Sequence, residues 1–442
     1  MAIDAQANIF KIVIVGGGIG GLAAVGHIVQ DDTLLCITNS AQAVALRGPQ
    51  REIVILEKSR MQREVGALLS LQPNSQKIVS RWNIDSFLAP GKPMDDKEFR
   101  IMDTTGQIRM RMPLEKEKYG ANRVCYHRQD LHAGLKAAAT SDSLPGPPAK
   151  VVTASKVTSC DCEAGVVTLE DGTTYEGDLI IGADGIHSVI RDAVLKGITP
   201  EPAQPKPTGI SAYRLLLNTA DLPPLPVSAE VFDHQRACTT LMMGYDKRVI
   251  MGPARGGEVL GMVCIVPDEN MNEDSSNNSW TTPGSLDKLL ETYSEFPEWI
   301  RELFKHAPDI ALWQLRDIDT LPTWTKGRTI LIGDAAHAML PTQGQGAGQS
   351  VEDAEALQAF FADIKSKPSA TEVHERLSEV FEARYERASL IQAYSRQQAA
   401  NATDKGSTTI KLNPAEFMDY NCNYDGALEW VRMHGQKGRL LE

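Results

Sequence analysis

The chain has 442 residues, enough for two or three domains with an ample core. Its 42% hydrophobic and 23% charged content is ordinary for a globular protein, and a net charge of −12 argues against nucleic acid and anionic membrane surfaces as partners. Seven scattered cysteines, with no second Cys or His cluster at zinc spacing near Cys160-Asp-Cys162, point to thiols in a reducing compartment rather than to a metal site.

The opening MAIDAQANIF has no basic region followed by an apolar one, and no apolar run is long enough to span a membrane. A cytoplasmic α/β protein is therefore expected. Lys11–Ala24, KIVIVGGGIGGLAA, sets the pattern for the rest of the chain. A β-branched run ends in G-x-G-x-x-G and small apolar residues come next, which places the glycines between a strand and a helix. Gly16 permits the turn, Gly18 lets backbone approach a pyrophosphate, and Gly21 lets helix and strand pack closely. The helix would aim its free N–H groups and positive dipole end at the phosphates.

A dinucleotide fold of this kind needs an acidic residue about 20 positions later to hold a ribose. Glu57 ends the next strand, Glu52–Leu56, but lies 36 positions after Gly21. The 18 residues Val25–Gln42 have no helical period, and removing them brings Glu57 to 18 positions after Gly21. Residues 25–42 therefore read as an insert, either a surface loop or a retained short intron.

Arg63–Trp82 reads as a loop leading into an amphipathic helix from about Ser75. Lys97–Met112 reads as a hairpin around Asp103–Gly106, and Val124–Ala139 as a strand entering a helix near Gln129. Val151–Val157, Val166–Leu169 and Asp178–Ile181 read as strands, the last running into Gly182-Ala-Asp184-Gly185. Four prolines in Thr199–Thr208 mark a stiff crossing segment. From Gly209 to about Leu321 the chain alternates like a sheet. The α/β pattern resumes at Gly327, where strand Thr329–Ile332 delivers Gly333-Asp334 and Gly344-Gln-Gly346-Ala347-Gly348 opens a helix. A long helix over Thr371–Ala400 and a tail complete the chain.

An aspartate at the end of such a strand can accept hydrogen bonds from a polyol, and a glycine-rich helix start offers N–H groups to an electron-rich ring oxygen. Taken together in this order, Gly16/Gly18/Gly21, Glu57, REVGALLSLQPN, His127-Arg128 through His132, Ala183-Asp184-Gly185 and Gly333-Asp334 through Asp353 resemble the class A flavoprotein monooxygenases, the salicylate- and 4-hydroxybenzoate-hydroxylase-like family, and especially its fungal members. The resemblance covers most of Lys11–Ala400.

The resemblance implies an α/β fold in which a Rossmann-like FAD-binding domain (1–90, 119–206 and 326–400) is interrupted by a substrate-binding sheet domain (91–118 and 207–325), with C-terminal helices and a tail at 401–442. It further implies FAD held by Glu57, Gly66, Ala67, Arg128, Asp334, Gly346 and Ala347, and Asp184 supporting the pyrophosphate and the encounter with NADPH or NADH. Arg214, after Tyr213 on an expected sheet strand, would hold a phenolate, and Tyr245 is a second candidate contact. His234 and His337 read as structural. The implied activity is hydroxylation of a small aromatic by O2 and NAD(P)H through a flavin C4a-hydroperoxide, in a monomer or homodimer. An epoxidase or reductase of the same fold, or an FAD-binding protein whose turnover the 25–42 insert impairs, are the alternatives.

Overall fold

The computed structural model describes residues 8–17, 46–59, 68–270, 282–399, 410 and 412–439. Strands in chain order are β1 (Phe10–Val15), β2 (Arg51–Leu56), β3 (Leu68–Leu71), β4 (Met94–Asp96), β5 (Glu98–Asp103), β6 (Ile108–Pro113), β7 (Arg123–His127), β8 (Lys150–Val152), β9 (Val157–Asp161), β10 (Val166–Leu169), β11 (Thr174–Glu176) and β12 (Leu179–Gly182). They continue with β13 (Lys206–Asn218), β14 (Thr239–Met243), β15 (Arg248–Ala254), β16 (Val259–Pro267), β17 (Thr282–Pro283), β18 (Ile310–Asp317), β19 (Thr325–Lys326) and β20 (Thr329–Leu331). The helices longer than a single turn are α1 (Pro73–Arg81), α2 (Arg128–Ala139), α3 (Val189–Leu195), α4 (Leu286–Thr292), α5 (Glu298–Lys305), α6 (Gly346–Phe361), α7 (Ala370–Gln397), α8 (Pro414–Cys422) and α9 (Ala427–Arg439).

The first sheet has the order β19-β20-β12-β1-β2-β8 and is parallel except at β19. Its strands are nearly continuous apolar runs, as burial on both faces requires, and Phe10, Ile12, Ile14, Ile55, Ile180 and Ile181 are fully covered. Val15 pairs with both Leu56 and Gly182, so β1, β2 and β12 end level with one another. The loops that begin at Gly16, Glu57 and Ala183 therefore open at one crevice beyond the strand ends, where open α/β sheets bind ligands.

The second large sheet has the order β17-β18-β13-β16-β15-β14-β5-β6 and is antiparallel except for the β14–β5 pair. Its two faces have different partners. Tyr213, Leu215, Leu217, Met262, Cys264 and Leu312 pack outward against Tyr293, Trp299, Leu303 and Phe304 of the α4–α5 region. Ile210, Ala212, Ile265 and Leu315 pack inward against Leu340. The small sheet β3-β7-β4 seats on the inner face, where a Cβ placed on Gly261 would lie 2.5 Å from Leu68 Cβ. Gly261 thus permits close contact between the two sheets.

Three expectations change. Val151–Val157 is not one strand: β8 joins the parallel sheet while β9 starts a separate antiparallel meander with β10 and β11. The stretch after Gly209 also contains α4 and α5, which cover the outer face of the large sheet. The expected tail includes α8 and α9. Phe417 is buried against Tyr394 with ring centroids 3.6 Å apart, and Tyr424 and Ala427 join the main core. An apolar pattern over so few residues is weak in sequence, and burial against α7 is what fixes these helices. The 25–42 insert lies outside the described residues.

Candidate functional site

Gly16 has φ +107°, and a Cβ there would sit 2.3 Å from the Ala183 carbonyl oxygen. Two loop backbones meet at this point, so only glycine fits. The Glu57 carboxylate accepts from Gly17 N–H and Ser59 N–H, each at 2.7 Å. It is therefore anchored at the start of the glycine loop. His132 on α2 bonds the Gly17 carbonyl through Nε2 at 2.6 Å. Asp184 turns toward α3, accepting from Ser188 Oγ at 2.5 Å, Val189 N–H at 2.7 Å and Ile190 N–H at 3.2 Å. Burial pushes its pKa up, against the pull of those donors. In this structure Asp184 satisfies the first two amides of α3, while Ser188 is the N-cap and accepts from Arg191 N–H.

At the end of β20, Gly333 takes φ +57° and ψ −140°, a conformation open essentially to glycine alone. Its N–H donates to Asp353 Oδ2 at 2.9 Å, which also bonds His337 Nε2 at 2.7 Å, while Arg384 Nε donates to Oδ1 at 3.0 Å. Burial alone would raise the Asp353 pKa, but His337 and Arg384 outweigh it and hold the acid below its usual range. This buried hub fixes the backbone at Gly333, directly before Asp334. The Asp334 carboxyl is open to solvent, yet the surrounding protein raises its pKa, with His337, Arg128 and Arg191 pulling the other way.

The α6 helix starts at Gly346 with no side chain capping it, and a Cβ built on Gly346 meets nothing within 4 Å. The space beside Gly346 is open. The preceding loop is held by polar bonds: Gln72 Nε2 donates to the Gln343 carbonyl at 2.7 Å, Gln345 Nε2 donates to Gln72 Oε1 at 2.7 Å, and Asn74 Nδ2 donates to Gln345 Oε1 at 3.1 Å. Asn74 also donates to Glu352 Oε1 at 2.6 Å.

Arg214 lies on the inner face of the large sheet in a row with Ala311, Val263 and Ile250. Its neighbours in that row are apolar. Burial, and secondarily the Arg128 charge, lower its pKa to about 10. Arg128, the first residue of α2, acts on both Arg214 and Asp334 and so lies within electrostatic reach of each. Strands β13 and β20 and helix α2 thus bring together residues from three distant parts of the chain.

Tyr245 does not join this group. It occupies the turn between β14 and β15, is 64% exposed, and sits five positions before Ile250, about 16 Å along an extended strand. It therefore sits on the solvent side of a hairpin, away from the row that holds Arg214. Gly18, Gly21, Gly66 and Ala67 lie outside the described residues. His337 and His234 are structural: the first is buried on Asp353, the second bonds the Gly257 carbonyl through Nδ1 at 2.9 Å. Sequence reasoning did not single out His132, which bonds the glycine loop, or Trp313, which lies beneath Arg214. The His132 signal was its place within the His127–His132 segment. For Trp313 there was none, since cross-strand placement is invisible along the chain.

Residues 10–379 match the family model described as "FAD binding domain". The chain is 31% identical over 435 residues to hispidin-3-hydroxylase of Neonothopanus nambi, covering 96% of this chain and 95% of that one. The protein belongs to the FAD-dependent monooxygenase family. Its relatives include a salicylate hydroxylase of Pseudomonas putida, 28% identical over 365 residues and covering 80% of this chain and 78% of the other. A salicylate hydroxylase structure in complex with substrate superposes with TM-score 0.74 at 25% identity, covering 96% and 97% of the two chains.

The cofactor of this monooxygenase is FAD, and its residues fit that group. The crevice combines a glycine that admits close backbone approach, an accessible acid, a guanidinium that acts on that acid and an uncapped helix start. That set suits a long ligand with phosphates, a polyol and an electron-rich ring. Among the described residues no group of His, Cys, Asp and Glu could hold a metal, and no helix is long and apolar enough to cross a membrane.

Proposed function

We propose that this monooxygenase uses NADPH or NADH and O2 to hydroxylate a small phenolic or salicylate-like aromatic between the inner face of the large sheet and the α6 loop. The observation that carries this reading is Arg214: one cation in a row otherwise made of Ala311, Val263 and Ile250. Such a wall suits a flat apolar ring with a single negative oxygen. The names of the relatives, a hispidin-3-hydroxylase and a salicylate hydroxylase, support the same substrate class.

Bound FAD, once reduced by the nicotinamide, supplies the activation of O2. The chain supplies position and electrostatics. Glu57 and Gly16 would hold the adenosine and pyrophosphate end, Asp334 and Arg128 the ribityl region, and the amides of Gly346 and Ala347 negative charge on the ring. Asp184 would shape the approach of the nicotinamide. Arg214 would keep the phenol ionised, hence electron-rich, and oriented, while Leu340 and its apolar neighbours exclude water.

A screen of substrate-stimulated NADPH oxidation over salicylates, hydroxybenzoates and polyketide phenols, with hydroxylated product measured, tests this. A yellow protein that couples oxidation to hydroxylation, with Arg214→Ala losing most of that coupling, is the expected result. Unchanged hydroxylation by Arg214→Ala would remove Arg214 from the substrate site.

A further inference from the structure

The Arg214 guanidinium stacks over the Trp313 ring, its carbon 4.5 Å from the ring centroid. Trp313 lies on β18, and its strand partner Ala212 is two residues before Arg214 on β13. Both residues face inward, on the side of the sheet that packs against Leu340. Among the described residues, Arg214 Nε and Trp313 Nε1 are buried without a hydrogen-bond partner. No ion pair to Arg214 is formed there, and the nearby charge is the cation of Arg128.

An arginine inside a protein is ordinarily fixed by a carboxylate, which also cancels its charge. An aromatic face orients the planar guanidinium while leaving that charge intact, because ring and cation meet through the quadrupole rather than by neutralisation. We propose that Trp313 is the positioning residue for Arg214: its indole face holds the guanidinium against the inner wall without neutralising it, so the anionic oxygen of the aromatic substrate supplies the missing counter-charge. The proposal rests on the reading that Arg214 contacts substrate. It goes further in assigning selectivity for the ionised form to a residue on a different strand, which need not touch the reacting atoms.

The test uses the FAD-loaded full-length protein at pH 7. Binding of salicylate and 4-hydroxybenzoate is read from the change in flavin absorbance and compared with binding of benzoate, which keeps the carboxylate and lacks the phenol oxygen. Thermal melts are recorded for each variant. Wild type is expected to prefer the phenols. Trp313→Leu should weaken phenol binding about tenfold and leave benzoate binding within about twofold. Trp313→Phe, which keeps a ring, should restore most of the difference. In turnover the loss should appear in KM rather than kcat. A merely structural role would weaken the phenols and benzoate alike, and the Phe variant would not rescue selectively; either outcome overturns the proposal. If Arg214→Ala abolishes the preference for phenols while Trp313→Leu keeps it, the role of Trp313 falls and that of Arg214 stands. If Arg214→Ala also keeps the preference, or wild type binds none of the phenols, the substrate reading itself fails.

Discussion

Arg387 on α7 grips Glu352 on α6 with two bonds, Nε to Oε2 at 2.8 Å and Nη2 to Oε1 at 2.9 Å, and both side chains are fully buried. Arg384 adds a bond to Glu352 Oε2 at 2.5 Å. Burial would raise the Glu352 pKa, but Arg387 and Arg384 outweigh it and keep the acid ionised below the usual range. The same Glu352 accepts from Asn74, which holds Gln345 in the loop before Gly346. Arg387 also donates to the carbonyls of Tyr420 and Asn421 and lies 4.2 Å from the Tyr424 ring centroid. One ion pair therefore links the C-terminal helices to the loop proposed to face the flavin ring.

Removing one partner of that pair strands a buried charge. Arg387→Met should destabilise the fold by about 3 kcal/mol or more in urea unfolding, since loss of one member of a buried pair costs about 3–5 kcal/mol. It should also weaken FAD retention, read by released flavin fluorescence. Glu352→Gln with Arg387→Met should recover part of the stability, because the excess buried negative charge is gone and Arg384 still pairs with Asp353. Equal stability of the single and double variants would contradict a coupled pair.

Asp334 tests the polyol end of the crevice. Its side chain is exposed and the loop is shaped by Gly333 and Asp353, so Asp334→Asn should fold normally and lose FAD affinity by about tenfold, the scale of a lost charge-assisted hydrogen bond. Gly333→Ala acts differently. A Cβ there would lie 2.7 Å from Ser350 Oγ in a conformation that alanine avoids, at a cost of about 1–3 kcal/mol measured as a lower melting midpoint.

Glu355 gives the protein a pH dependence near neutrality. Burial pushes its carboxyl up to about 7, with Arg81 and the Ala427 N–H, which donates to Oε2 at 2.8 Å, pulling the other way. The folded form thus holds a proton that the unfolded chain releases near the ordinary value of 4.5. This contribution to stability is complete below about pH 4.5 and is lost as pH rises through 7. Glu352 and Asp353, held low, act in the opposite sense only at more acidic pH. Glu355→Gln should therefore melt higher than wild type at pH 8 and equal it at pH 5. A difference that does not change between pH 5 and 8 would rule out titration of Glu355 in that window.

Tyr245 gives a control. Exposed in a turn, it should tolerate Phe with hydroxylation rate and melting midpoint unchanged within experimental scatter. A large loss of kcat in Tyr245→Phe would bring this turn into the site after all.

Much of the fold was legible because parallel strands buried on both faces need continuous apolar runs, and the runs at Phe10, Arg51 and Leu179 are of that kind. Gly16 and Gly333 were legible for a similar local reason: backbone at φ +107° and +57° excludes other residues. Chain order and spacing likewise carried the α/β class and the second sheet, and the resemblance of the motifs to a known family implied FAD. They could not carry relationships across strands and helices. Trp313 beneath Arg214 depends on the register of β13 against β18, and the grip of Arg387 on Glu352 depends on the packing of α7 on α6. In sequence Arg214 stood on an expected strand and Tyr245 was the second candidate, with nothing to show which face or turn would hold either. Only the turn that exposes one, and the sheet face that buries the other beside an indole ring, tells them apart, because burial and counter-charge are properties of the elements that fold over a residue.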